Sequence, residues 1–337
     1  MIREAIAKLV ERSSLTAAEA TAVMGEIMDG QATPAQIGSL LTALRMKGET
    51  PEEIAGFAVA MRQRAYRIQP RTPVFVDVVG TGGDNSGTFN ISTVAAFVVA
   101  GAGIPVAKHN NRAVSSRCGS ADVLEALGLP ADVEPDRAQR AIEEVGIGFL
   151  FAPRFHPAMR HAAGPRREVG IRTVFNLLGP LTNPAGARHQ VVGVYHRDLV
   201  EPMARVLSQL GAAHAFVVHG DGMDELSPSG PSHVAEVRDG AVRTFALAPE
   251  DAGLPRHPAQ AVRGGDAEEN ARLAVAVLSG ERGPHRDVVV LNAAAALLAA
   301  GACSDLREAA AYAEESIDRG AAHRKLMELR AFLRGAA

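Results

Sequence analysis

Three short stretches concentrate the side chains and backbone amides that can do chemistry. In Gly80-Thr81-Gly82-Gly83-Asp84, followed by Asn85-Ser86-Gly87 and then Asn90-Ile91-Ser92-Thr93, the glycines let the chain turn inward and approach a ligand closely. Amides converging from such a turn, beside the positive end of a helix, hold an anion, and phosphate or pyrophosphate is the natural guest. The pattern is not a P-loop, because no Gly-Lys-Ser/Thr follows at the required spacing, and it lacks the third glycine of a dinucleotide fingerprint. A glycine-rich turn that only joins strand to helix reads the same way.

The second stretch, KHNNRAVSSRCGSADVLEALG, begins at Lys108, one of only four lysines in a chain that otherwise uses arginine. Lys108, Asn111, Arg112, Ser115, Ser116 and the amides near Gly119 and Ser120 offer many donors and few charged acceptors, which suits a polyanion. Ser120 is also expected to cap the following helix, with Asp122 in its first turn. His109 reads equally well as a packed histidine or a catalytic one. The third stretch, HGDGMDELSPSG, puts Asp224 and Glu225 on a glycine-bearing loop after an apolar strand. Mg2+ takes one or two carboxylates and completes its shell with water and substrate phosphate oxygens, which such a loop can supply. Adjacent acids on a loop are otherwise simply solvated.

The elements that must position these loops follow from the patterning. Three helix starts carry a reciprocal cap, Thr16 with Glu19, Thr33 with Gln36 and Thr50 with Glu53, and Pro34 and Pro51 occupy first helical positions. Four short helices ending near Arg67 are predicted, then a linker, IQPRTP. From there strands and helices alternate: FVDVV, the helix STVAAFVVAGAG, the strand IPVAK, the helix SADVLEALG, the strand QVVGVY, a helix over 198–210 and the strand HAFVVHG. A hairpin is expected around Asp239-Gly240, and helices from Asp266 to Leu333. The fold class is therefore α/β: a small helical N-terminal domain over 1–70, and a large domain over 71–337 with a mostly parallel sheet whose strand ends carry the three loops.

Composition bounds the partners. With 337 residues, 47% hydrophobic, 22% charged and a formal charge of −3, the composition argues against general nucleic-acid binding and leaves room only for local basic patches. The N-terminus lacks the features of a signal peptide and no apolar run is long enough to span a bilayer. Two cysteines, Cys118 and Cys303, make neither a disulfide framework nor a metal cluster, so a reducing compartment, the cytoplasm, is expected.

Taken together, GTGGD, NIST, KHxNRxxSSxxGSADxLEALG, FAxxxHPAM, RxxxGxRTxFNxLGPLxNP and the later Asp-Glu pair resemble anthranilate phosphoribosyltransferase, over nearly the whole chain. The resemblance implies that Gly80, Thr81, Gly82, Gly83, Asp84, Thr88, Asn90, Ser92, Thr93, Lys108, Ser116 and Ser120 bind phosphoribosyl pyrophosphate. It implies anthranilate contacts from Gly80, His109, Asn111, His156, Arg166, Gly179 and Pro180; a guanidinium such as Arg166 matches a benzoate carboxylate. Ser92, Asp224 and Glu225 are implied metal ligands, for two Mg2+ per subunit. Also implied are a homodimer through the N-terminal helices and packing of part of 164–186 against the helical domain. Pyrimidine nucleoside phosphorylases and nucleic-acid-binding relatives share the architecture. Asn111, the SSxxGSAD run and the retained acids favour the transferase. One position departs from the pattern: the family has Lys-His-Gly-Asn-Arg where this chain has Lys108-His109-Asn110-Asn111-Arg112. Asparagine is a tolerable replacement if that glycine serves a left-handed backbone, and crowds the site if it serves close approach of a ligand.

Overall fold

The three threonine caps form as their spacing predicts. In the computed structural model, which describes residues 1–113 and 117–335, Thr16, Thr33 and Thr50 each accept from the backbone three residues on, and Glu19, Gln36 and Glu53 reach back. They open α2 (Ala17–Met28), α3 (Pro34–Lys47) and α4 (Pro51–Gln63), which follow α1 (Ile2–Val10). Leu9, Ile27, Leu40, Leu44 and Phe57 fill the space between them.

After residue 73 the period changes. The order β1 (Val76–Gly80), α5 (Ile91–Gly101), β2 (Val106–Asn110), α6 (Ser120–Ala126), α7 (Pro135–Glu144), β3 (Ile147–Phe151) builds one flank of the sheet. The chain then makes α8 (Ala152–Phe155), α9 (Arg160–Val169) and α10 (Phe175–Leu181) before β4 (His189–Gly193), α11 (Val200–Gln209) and β5 (His214–His219). The hairpin β6 (Ser232–Arg238) and β7 (Ala241–Leu247) turns at Asp239 and Gly240, both with positive φ, as its Asp-Gly sequence predicts. Four helices close the chain: α12 (Ala267–Leu278), α13 (Pro284–Ala299), α14 (Leu306–Asp318) and α15 (Ala321–Arg334).

The sheet runs β3-β2-β1-β4-β5-β6-β7, parallel from β3 to β5 and antiparallel thereafter. Strand order reverses between β1 and β4, where Gly80 pairs with Gly193, and it is at such a switch point that open α/β sheets hold their ligands. The apolar α5 is buried against β1, β2, α13 and α15 on one face. On the other face, α10 and α11 join the side chains of α1–α4 to Val192, Val194 and Val217 of the sheet in one continuous core. Helix α9 packs on α2 and α3, and α10 on α4.

Three local differences from the sequence reading have physical reasons. The five residues of β3 carry no sequence expectation, because a short apolar run becomes a strand only through its pairing with β2. Helix α6 starts from Gly119, not from a Ser120 cap: Asp122 Oδ2 accepts from Gly119 N at 2.8 Å, while Ser120 Oγ is turned to Asn111, whose N–H it accepts and whose carbonyl it donates to. Arg112 is held on the exposed side by Asp122 and Glu125 rather than being free for an anion. Ser115 and Ser116 lie outside the described residues.

Candidate active site

The loop after β1 is a sequence of backbone turns only small or turn-prone residues adopt: Gly82, Gly83, Asn85 and Gly87 all have positive φ. Its anchors are electrostatic. Gly82 N donates to Asp224 Oδ2 at 2.7 Å, Asp84 Oδ1 accepts from Ser86 N at 3.2 Å, and Asp84 Oδ2 accepts from Asp224 N at 3.1 Å. The Arg172 guanidinium donates to Gly83 O and stacks over Tyr195. Thr88 shares a hydrogen bond with Ser86 and bridges to Arg263, and Thr81 N donates to Gly193 O.

The acidic pair is not the solvated couple an isolated loop would present. Glu225 is 9% exposed and accepts from Ser92 N, at the start of α5, at 3.2 Å. The loop lies directly across the bare ends of β1 and β4: a Cβ on Gly80 would collide with the Asp224 carboxylate, and one on Gly193 with the Asp224 backbone. Burial raises both carboxyls above the ordinary range. Asp84 pushes Asp224 further up, Asp224 does the same to Glu225, and Lys108 opposes the shift of Glu225.

Lys108, 2% exposed, sits where these acids converge. Its Nζ donates to Val78 O and, at 3.2 Å, to Ser92 Oγ. Burial lowers its pKa, and Asp77, Glu225 and Asp224 pull it back up. Asp77 is a buried acid absent from the sequence reading, although a carboxylate in the middle of the apolar strand VDVV is itself a signal. It accepts from His109 N at 3.1 Å and from Asn183 Nδ2 at 2.7 Å, and burial raises it to about 6.

Alternation along β2 turns the next residue the opposite way. His109 Nδ1 lies 2.9 Å from Gly179 O, and its ring stands 5.2 Å from that of His156. A carbonyl can only accept, so Nδ1 carries the proton and Nε2 presents a bare lone pair; that buried Nε2 has no partner, and neither has Nε2 of His156. Burial, reinforced by His156, lowers His109 to about 3, and burial lowers His156 to about 4, so both rings are neutral at pH 7. Half-buried Arg166 stacks over Phe175, its Cζ 4.8 Å from the ring centroid, and its guanidinium makes no hydrogen bond or ion pair among the described residues. Pro180 O accepts from Gln190 Nε2 at 3.1 Å, which fixes the turn behind His109.

Two predicted residues are held differently from expectation. The Asn90 carboxamide ties α5 to neighbouring segments: Nδ2 donates to Cys118 O at 3.3 Å and Oδ1 accepts from Asn270 Nδ2 at 3.0 Å. Asn111 is exposed and its Oδ1 accepts from Arg112 N at 2.8 Å. Thr93 is buried with its Oγ1 unpartnered.

A divalent cation fits the donor set. Two buried carboxylates with raised pKa, beside a serine hydroxyl and a single amine, lack countercharge. Among the described residues no three acidic, histidine or cysteine side chains form a closed cage, so the residues suit a hard cation that takes its remaining oxygens from substrate and water. No helix of the described residues is long and apolar enough to cross a membrane.

Comparison with known proteins agrees at every level. Residues 3–65 match the glycosyl transferase family, helical bundle domain, and residues 72–323 the glycosyl transferase family, a/b domain. The chain is 61% identical over 329 residues to an anthranilate phosphoribosyltransferase of Anaeromyxobacter dehalogenans, covering 98% of each. It superposes with a TM-score of 0.94, at 50% identity, on the crystal structure of anthranilate phosphoribosyltransferase from Thermus thermophilus, covering 98% of this chain and 99% of that one. The Saccharomyces cerevisiae enzyme in complex with PRPP and Mg, 30% identical, matches with a TM-score of 0.90 over 99% of this chain and 98% of that one. In sequence along almost its entire length, and in fold, the chain belongs to the anthranilate phosphoribosyltransferase family.

Proposed function

We propose that this chain transfers the 5-phosphoribosyl group of phosphoribosyl pyrophosphate to the amine of anthranilate, releasing pyrophosphate, with β2 dividing the site. The observation that carries this reading is the opposite character of adjacent residues: Lys108 stands among buried acids with Ser92, whereas His109 is held by Gly179 O beside the neutral ring of His156.

On the donor side, the amides of 80–84 with Thr88, Asn90, Ser92, Thr93, Lys108 and Ser120 hold the phosphoribosyl pyrophosphate. Ser92, Asp224 and Glu225 would hold Mg2+, which when bound would supply charge neutralisation to the departing pyrophosphate. Lys108 stabilises the same developing charge from a site with little solvent. On the acceptor side, Arg166 pairs with the anthranilate carboxylate, and the Gly179-Pro180 turn holds the His109 ring. The bare Nε2 of His109 accepts a hydrogen bond from the amine and orients its lone pair toward the sugar. Its low pKa keeps the ring neutral and able to accept, while the arylamine is neutral and nucleophilic of itself before attack. Once the new bond makes the nitrogen acidic, even so weak a base serves as its neighbour.

In this reading the helical domain spans 1–70 and takes in part of 164–186, supported by the packing of α9 and α10 on α2, α3 and α4. Two copies associate through the helical domain, where Val10 (64% exposed) and Met46 (73%) present apolar surface to solvent. The test is direct: with phosphoribosyl pyrophosphate and Mg2+, anthranilate fluorescence decays. Absence of decay, together with phosphorolysis of uridine or thymidine, overturns the assignment.

A further inference from the structure

Asn110, at the position where the resemblance implies a glycine, does not adopt the left-handed backbone a glycine would serve. It ends β2 in register with Phe151 of β3, and it is not among the residues with positive φ. Its side chain is 4% exposed, yet neither Oδ1 nor Nδ2 has a hydrogen-bond partner. Among the described residues it is the only side chain with two buried polar atoms both unpaired, and Thr93, His109 and His156 nearby each have one. A buried carboxamide satisfied on neither atom is costly, and it persists only if something pairs with it in the working molecule.

What it pairs with follows from alternation and chemistry. Residues two apart on a strand share a face, so Asn110 lies on the Lys108 side of β2, away from His109 and Gly179. Its partners must between them donate to Oδ1 and accept from Nδ2, and one ligand group that does both satisfies it most simply. Pyrophosphate and phosphate oxygens only accept, and a metal ion would use Oδ1 alone. Anthranilate offers both functions but belongs to the opposite face. A vicinal pair of sugar hydroxyls offers both on the right face.

We propose that Asn110 reads the ribose hydroxyls of the donor, accepting from one and donating to the other, and so sets specificity for the sugar. This rests on the function proposed above. Binding of phosphoribosyl pyrophosphate with Mg2+, measured by calorimetry, is expected to weaken about tenfold in Asn110→Ala, two neutral hydrogen bonds' worth. KM for anthranilate is expected to stay within about twofold. With a donor lacking the 2-hydroxyl, the gap between wild type and variant narrows. Without ligand, the Tm of the variant does not fall, because an unpaired buried group has been removed. Asn110→Gly serves as a second variant should the alanine fail to fold.

An unchanged donor affinity overturns the inference, as does a gap of equal size for the deoxy donor or a penalty that falls on anthranilate instead. A lowered Tm with unchanged affinity makes the residue structural and also overturns it. If the wild-type chain binds no phosphoribosyl pyrophosphate, the proposed function fails first. If it binds and turns over while Asn110 is silent, only this inference fails.

Discussion

Two buried glutamates, one in the helical unit and one at the edge of the sheet, show how differently the same side chain is treated. Glu53 is fully buried, and its Oε1 accepts from Leu15 N at 2.8 Å while its Oε2 accepts from Thr50 N at 2.8 Å and Lys47 at 2.9 Å. Every demand it makes is met within the chain. Glu225 accepts one backbone hydrogen bond and shares a single lysine with Asp224 and Asp77. The first carboxylate is part of the architecture, tying the start of α4 to the turn before α2. The second is left short of countercharge at the ends of the parallel strands. Burial alone does not distinguish structure from function; the completeness of pairing does.

Removing the shared cation tests that contrast most severely. Lys108→Met strips three acids of their only buried amine, and kcat/KM is expected to drop by about a thousandfold while unfolding free energy falls by about 3 kcal/mol. Near-normal activity in steady-state assays would mean that the donor is held elsewhere. Glu53→Gln sets the other pole: loss of the charge that Lys47 and two amides are built around costs about 2–3 kcal/mol in urea denaturation, with kcat and both KM values unchanged. Glu225→Gln should do the reverse, lowering kcat/KM by about a hundredfold while Tm rises, since a carboxylate lacking countercharge has been made neutral. Loss of both stability and activity in either glutamate variant would erase the distinction between the two glutamates.

The smallest effect concerns pH. His109 and His156 have folded values of about 3 and about 4, against an ordinary 6.5. Their contribution to stability is present above pH 6.5 and is lost as pH falls toward those values. Asp77, raised to about 6 from 3.8, works in the opposite sense, its contribution being present below 3.8 and lost as pH rises through 6. In His156→Asn, thermal melts between pH 7 and 5 should lose about 1–2 kcal/mol less than in wild type. Parallel profiles would show that His156 is charged or exposed in the folded protein.

Much of this architecture is legible in the order of the residues. The capping boxes mark α2–α4 to within a residue, because a helix start is a local contract among four residues. The glycine loop, the acidic loop and the Lys108 strand end fall at one sheet edge from βα alternation alone. What stays hidden depends on residues far apart in the chain. β3 exists by pairing, and the Asp77–Asn183 and Asn90–Asn270 links join segments 106 and 180 positions apart. The expected Ser120 cap does not form because Gly119 takes the N-cap position, with Asp122 accepting from its N–H, and Ser120 Oγ is engaged by Asn111 instead. For Asn110, the identity of the residue is plain from the sequence and its unpaired state is not.

The bare strand ends beneath the acidic loop have a further consequence for how such a chain can vary. Gly80 and Gly193 face each other across β1 and β4, and Asp224 rests on both. Any side chain at either position, alanine included, must displace the loop that carries both buried acids. In a saturation library these two glycines should therefore tolerate almost nothing, although neither offers a functional group of its own. Selection on the acids is in this way written into two positions that carry no side chain, and a lineage that lost either glycine would lose the reaction before it lost the fold.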